Sequence, residues 1–440
     1  MSQGSIVLPT TGTVTGLQLA QAVNTALAAL GTNNSGNVDP GTALGPYAWW
    51  ADTGNGFLKQ RDPTNTFWTV IAPLQTLLAT LAQTYSAIPT QFSKVNSSAP
   101  AFSKTGSGAL SVNAGTVVAV AGAVITFSAA TVIAMPALVA GTDYYIYACS
   151  DGTVRADASA SCPTGYSTAN SRQIGGFHYG LILTGATVAS GAFATTGNGM
   201  IWTQNDVNNI AGINAWSIWD LKWRPNGCAP QGMALVHGKL WVDIYLCSTN
   251  TATNGTSKSN TNIASGTVLP IIPPDYGGNG VTTYPTLNWW VASELAHASQ
   301  KRLLWEHEFV DAAFGVTENQ SIDATASTYP NTQRNPGYTS KWGIEQAAGV
   351  QWIWGLDSNF YSEVASPGWT WKDLNGNNGA GTGRGEIYTA GANGISRVLL
   401  GGARASGAFS GSRASLWNYC PWGSNWGVGL RAACDHLTLV

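Results

Sequence analysis

Apolar residues recur at helical spacing only in short stretches of this chain, and between them the pattern is that of brief strands cut by Gly, Pro and Asp-Gly turns. Leu17, Ala20, Val23, Ala26 or Leu27 and Leu30 predict an amphipathic helix over 16–30, with Thr15 as its cap and Gly31 as its stop. YAWWADTGNGFLKQRDPTNTFWTVIAPL (47–74) then reads as three β-like runs separated by GNG and DPTN. A second helix is predicted over 74–88, with an apolar face too small to stand alone, so it packs either on copies of itself or on the preceding sheet. The Pro/Ser/Thr-rich stretch 89–108 reads as a linker. From Ala109 to about Ala160, β-branched runs predict antiparallel structure, a small sandwich. Residues 215–247 read as strands joined by turns. TLNWWVASELAHASQKRLLWEHEFVDAAFG (286–315) reads as two helices, on the spacing of Trp290, Leu295 and His297, then Leu303, Leu304, Glu308 and Phe309.

The pattern fails in the last forty residues. Seven glycines (401, 402, 407, 411, 423, 427 and 429) break any helical or strand period over 399–440, so this backbone needs an outside scaffold. Around them stand Phe409, Trp417, Tyr419, Trp422 and Trp426, with Arg404, Arg413 and Arg431. Rings and guanidinium groups give large contact area at small entropic cost, and Ser, Gly and Asn add adaptable hydrogen bonding, as in antibody-type surfaces. Trp417 and residues 437–440 are expected to pack in the core instead.

Composition narrows the classes. Only 10% of residues are charged and 52 of 440 are Gly, so polar surface must come from Ser, Thr, Asn and backbone, as in β-rich fibre proteins. A net charge of −2 gives no footprint for nucleic acid or anionic membrane, and no apolar run reaches a bilayer span, so neither nucleic-acid binding nor membrane insertion is expected. The first residues, MSQGSIVLPTTG, lack the basic and apolar regions of a secretory signal. Six cysteines lack CxxC spacing and read mostly as buried thiols, with Cys420–Cys434 or Cys149–Cys162 bridges left open. Sixteen of nineteen tryptophans follow residue 200, which places a domain boundary near 160–180.

Candidate chemistry is thin. His307 lies in Glu306-His307-Glu308, which is not HExxH, and His178, His237, His297 and His436 have no partner at ligand spacing. The 381–385 GTGRG lacks the Lys-Ser/Thr of a phosphate loop. No metal, cofactor or catalytic residue is therefore expected. A carboxylate pair assembled in three dimensions, as in a tailspike-like glycan depolymerase, is the rival reading, and a purely structural fibre is the third.

GG-x7-SGSRA-x-LW at 401–417 and R-x2-CDHL at 431–437 resemble the major tropism determinant family of phages, variable proteins of diversity-generating retroelements. GGFHYG (175–180), SIWDLKWRP (217–225), WVDIYL (241–246), NGTSK (254–258), AFGVTE (313–318) and TSKWGIEQAAGVQWIWG (339–355) extend the likeness over about 175–440. The 47–74 pattern resembles small β modules of phage tail fibres. With the patterns above, the resemblance gives an expected α+β chain: an attachment module over 1–100 with short N-terminal helices, a β-sandwich-like domain over 101–174 read from the β-branched runs, and, implied by the resemblance, a C-type-lectin-like domain over 175–440. It also implies an intertwined homotrimer at a tail-fibre tip. The module at 1–100 would join other tail or baseplate proteins, and a bacterial outer-surface receptor would bind without catalysis. Carried over motif by motif, the variable, receptor-contacting positions are Ala403, Ala405, Ser406, Gly407, Phe409, Leu416, Asn418, Tyr419, Gly423, Asn425, Gly427 and Val428. Codons of the AAC type, mutated at adenine, can yield every residue at these twelve. Trp422 and Trp426 flank them, and Arg404 stands where the family motif has Trp.

Overall fold

The computed structural model describes residues 35–73, 91–190, 193–194, 202–322, 330–359, 369–372, 387–390 and 395–438. The helices expected over 16–30 and 74–88 lie outside the described residues. The chain divides into two compact units, Met1–Pro89 and Thr90–Val440.

In the first unit the three β-like runs form an antiparallel meander, Trp49–Asp52, Phe57–Arg61 and Trp68–Pro73, with Ser35–Gly36 added in parallel at one edge. Both turns are tied by aspartates. Asp52 accepts the Asn55 N–H at 3.0 Å and the Lys59 ammonium at 2.7 Å, and Asp62 accepts the N–H groups of Thr64, Thr66 and Phe67.

The second unit begins inside the segment expected to be a linker. Phe92–Ser93 pairs with Thr116–Val120, and Phe102–Gly106 pairs with Ala109–Val112. Phe92, Ala101 and Phe102 are buried with Leu110, Val118, Ile146, Ile174 and Phe177, so 89–108 supplies core strands. Ser103 and Thr105 line the outer face of a strand that buries one side, while Lys104 lies on the Phe102 side and donates to the Ala211 and Ile213 carbonyls.

A boundary at 174/175 would fall inside a strand. Ser171–Tyr179 is continuous, sits between Thr142–Cys149 and Trp219–Asp220, and carries Ile174 and Phe177 into one core. Gly175 and Gly176 are required there, because a Cβ on Gly175 would strike the Phe102 ring and the Trp219 carbonyl, and one on Gly176 would lie 2.8 Å from the Trp219 ring. Asp220 ties the same sheet to the start of the unit, accepting the Ala101 N–H at 2.7 Å and the Lys94 ammonium at 2.8 Å.

The C-terminal part has two four-stranded sheets and a helix pair. One sheet runs β1 (Met233–Val236), β2 (Leu240–Asp243), then the last strand Ala432–Asp435, then Arg302–Leu303. Helices α1 (Trp289–Ala298) and α2 (Glu306–Ala312) lie where two were expected, with β3 (Arg302–Leu303) between them. Asn288 caps α1 by accepting the Val291 N–H, and Val291, Ala292, Leu295 and Ala296 fill the core beneath. In the other sheet β4 (Trp352–Asn359) and β5 (Ser396–Leu400) are central, β6 (Ser415–Tyr419) pairs with β5, and β7 (Val428–Gly429) runs parallel to β4. The last strand, β8 (Ala432–Asp435), returns to the first sheet.

Arg431, grouped by sequence with the surface arginines, is 1% exposed. Its guanidinium donates to four backbone carbonyls, Asp243 and Ile244 at 2.7 and 2.8 Å and Glu345 and Gln346 at 2.7 and 3.1 Å. Burial lowers its pKa to about 10. Trp417, expected in the core, is 39% exposed, because it lies on the outer face of β6, where its indole N–H reaches only Ser415 Oγ. Among the described residues no helix is long and apolar enough to cross a membrane.

Candidate functional site

The segment after β5 leaves the sheet at Gly401 and Gly402, both left-handed with φ of 93° and 87°. Neither accepts a side chain. A Cβ on Gly401 would come within 2.8 Å of the Phe309 ring, and one on Gly402 would strike Ser410. The reversal is closed by Gly401 N–H to Ala414 O at 2.8 Å and Gly411 N–H to Gly401 O at 3.2 Å.

The main chain beyond this reversal is held from outside. Arg404 N–H donates to Val350 O at 3.1 Å, Ser321 Oγ donates to Arg404 O at 2.8 Å and accepts the Gly407 N–H at 3.0 Å, and Asn319 N–H donates to Ser410 O at 2.9 Å. Glu318 accepts from the Ser412 N–H at 3.0 Å and from its hydroxyl at 2.6 Å. Further on, Trp289 N–H donates to Pro421 O, Gly266 N–H to Asn425 O and Trp352 N–H to Gly427 O, all at 2.9–3.0 Å. An irregular backbone is thereby given a fixed shape by residues outside it. Glu318 and Ser321 were missed by sequence reasoning. Their only signal was that Glu318 ends the AFGVTE motif.

Nine of the twelve expected positions reach solvent. Ala405, Phe409, Asn418 and Asn425 are exposed, Phe409 to 80%, while Ser406, Gly407, Leu416, Tyr419 and Gly423 are half-buried. The other three are corrected. Ala403 is buried in a bridge to Val350, Gly427 is buried with its Cα facing the Ala403 methyl, and Val428 is 2% exposed in β7 against β4. Pairing with a central strand turns these three inward. Tyr419 leans on Trp354, with ring centroids 5.4 Å apart, and a Cβ on Gly423 would lie 2.6 Å from its ring.

The flanking residues divide. Arg404 lies over the Trp426 ring at 4.7 Å, a cation–π pair, and Trp426 is 40% exposed. Trp422 instead stacks on Trp290 of α1, centroids 6.0 Å apart and planes 8° from parallel. Phe409 and Leu416 also line an open cleft of about 800 Å³, whose opposite wall is Val310, Asp311 and Phe314 at the end of α2. Arg413 and Glu318 stand at the same cleft, where apolar Val310, Phe314, Trp352, Phe409 and Leu416 alternate with polar side chains.

At the site burial lowers the Arg404 pKa and raises those of Tyr419 and Cys420, and further titratable groups are buried elsewhere. His178 bridges Asp143 at 2.9 Å and Tyr245 at 3.0 Å inside the domain, and His436 accepts the Trp241 indole N–H at 2.9 Å. Burial raises the Glu345 pKa to about 7 although Arg334 and Arg431 lie close by. Among the described residues no three His, Cys, Asp or Glu side chains gather as a metal site.

The chain is 40% identical over 363 residues to the tail fiber receptor-binding protein of Bordetella phage BPP-1, covering 81% of this chain and 87% of that one. It belongs to the major tropism determinant family. The U1 and M1 variants of the Major Tropism Determinant superpose with a TM-score of 0.70 at 36% identity, over 92% of this chain and 99% of theirs. The family model described as the Mtd second domain matches residues 100–220. That span holds the continuous Ser171–Tyr179 strand and the Trp219–Asp220 strand beside it. The Mtd second domain thus runs through the position where tryptophan density had placed a boundary.

Proposed function

We propose that this protein is the receptor-binding protein of a phage tail fibre, and that it engages a bacterial surface receptor, without catalysis, through the side chains carried by residues 403–428. The observation that carries this reading is the division of labour in the loop. Glu318, Asn319, Ser321, Val350 and Gly401 hold its main chain, while the side chains of Ala405, Phe409 and Leu416 form no hydrogen bond in that frame. Side chains there change without dismantling the backbone that presents them. The relatives named as tail fibre and tropism proteins support the same assignment.

On this reading the C-terminal part is a C-type-lectin-like domain, the protein is a homotrimer, and it sits at the fibre tip with residues 1–100 joining the tail or baseplate. Several exposed positions are small, so Phe409, Tyr419 and the Arg404–Trp426 pair are the anchors. Repeated copies supply avidity where one site is weak. Exchange of residues 403–428 for the corresponding segment of a relative with a different host tests the assignment. Adsorption should follow the segment, and unchanged host range would refute it. Incubation with host polysaccharide should give binding with no release of reducing ends.

A further inference from the structure

Cys228 and Cys434 are distant in sequence but share one buried cluster with Trp219, Met233, Leu235 and Trp241. Their approach is built into the main chain. Pro225 bridges to His436, Asn226 N–H donates to Asp435 O at 2.8 Å, and Cys434 Sγ donates to Asn226 O at 3.2 Å. Gly227 then turns with φ of 95°, and Arg224 closes the turn by donating to Cys228 O at 3.1 Å. Past the turn Cys228 joins Cys434 in the same buried cluster, with its Sγ donating to Met233 Sδ at 3.8 Å. The proximity of the two thiols holds Cys434 below, and Cys228 above, the usual thiol range. Both are free thiols here.

We propose that Cys228 and Cys434 form a redox pair that closes to a disulfide when the folded protein meets a small-molecule disulfide in an oxidising medium. Cys434, at 6% exposed, is the entry sulfur, and Cys228 is fully buried behind it. The Cys434 thiolate attacks one sulfur of the external disulfide, forms a mixed disulfide and expels one thiolate. Cys228 then gives up its proton, attacks Cys434 Sγ and expels the second thiolate. Two protein thiols are oxidised, one external disulfide is reduced to two thiols, and the two protein protons end on those thiols. The cross-link ties β8, the strand that follows the variable segment, to the 224–228 turn, so the C-terminal end of that segment cannot fray. This pairing takes Cys434 away from Cys420, one of the partners left open by sequence.

The full-length chain is incubated with oxidised glutathione or with dithiothreitol, alkylated in denaturant, digested and mapped by mass spectrometry. The oxidised sample should contain a peptide pair joining Cys228 to Cys434 that dithiothreitol abolishes. Its Tm should exceed that of the reduced protein by several degrees, because the cross-link restricts the unfolded chain. Cys228→Ser should lose both the peptide pair and the Tm difference. Separate alkylation of both cysteines after oxidation, or a cross-link of different connectivity, would overturn the proposal. Mapping of the unaltered chain decides alone if the variant does not fold.

Discussion

Glu318 grips Ser412 twice, accepting its backbone N–H at 3.0 Å and its hydroxyl at 2.6 Å, and so fixes the SGSR turn from a residue far away in sequence. Ser412 is buried, so its N–H has no water to fall back on. Charge-assisted bonds of this kind contribute about 2 kcal/mol. Glu318→Ala should therefore loosen the loop, lowering adsorption to host cells roughly thirtyfold at 1.4 kcal/mol per decade. Thermal unfolding, governed by the core, should shift little. Unchanged adsorption would show that the loop keeps its shape without this contact.

The Arg404–Trp426 pair yields a milder expectation. An exposed cation–π contact contributes about 0.5–1 kcal/mol. Arg404→Ala should weaken cell binding by a few-fold, and Trp426→Ala should weaken it more because it also removes a large ring. Binding curves of purified protein on host cells would separate the two. Equal effects would mean that the guanidinium itself meets the receptor.

Arg431 makes the reverse case, a cation whose work is internal. Its removal leaves four carbonyls and a cavity at the junction of 243–244 with 345–346. Arg431→Met should cost about 3–5 kcal/mol, read as a fall in the urea midpoint, with Arg431→Lys only partly restoring it. Full stability in either variant would refute the assignment.

The pH dependence turns on Glu345. Its carboxyl is raised to about 7 in the folded protein from 4.5, so the folded state binds its proton more tightly than the unfolded state does. The contribution is complete below about 4.5 and is lost as pH rises through about 7. From this group the second unit should gain stability on going from pH 7.5 to pH 5, by at most about 3 kcal/mol. Glu345→Gln should flatten that part of the profile in chemical denaturation, and an unaltered profile would exclude Glu345 as its source.

A chain starting at Thr90 should fold, whereas one starting at Gly175 should be recovered unfolded. The latter lacks Thr142–Cys149 and the first residues of Ser171–Tyr179, and leaves Phe177, Ile213 and Ile218 without the rest of their core. Circular dichroism and proteolysis of the two fragments would tell. A stable fragment from 175 onward would restore the boundary that the strand crosses.

Sequence carried the local rules well. The 47–74 meander and the 286–315 helix pair were legible because turn residues and apolar spacing act over a few positions. The stretch 89–108 was misread because Phe102–Gly106 buries one face only, and its Ser, Lys and Thr look like linker. Arg431 and Glu318 were missed for another reason, since their partners at 243–244, 345–346 and 412 come together only after folding. Nine of the twelve motif positions reach solvent, while at Ala403, Gly427 and Val428 pairing with the 350–353 backbone buries the residue.

Gly401 and Gly402, pressed against Phe309 and Ser410 in a conformation other residues avoid, act as a fixed margin for heredity. Any process that rewrites this stretch of the gene at random must spare that doublet, or most offspring would carry a fibre that cannot mature. Tolerated change therefore begins at a border drawn by sterics.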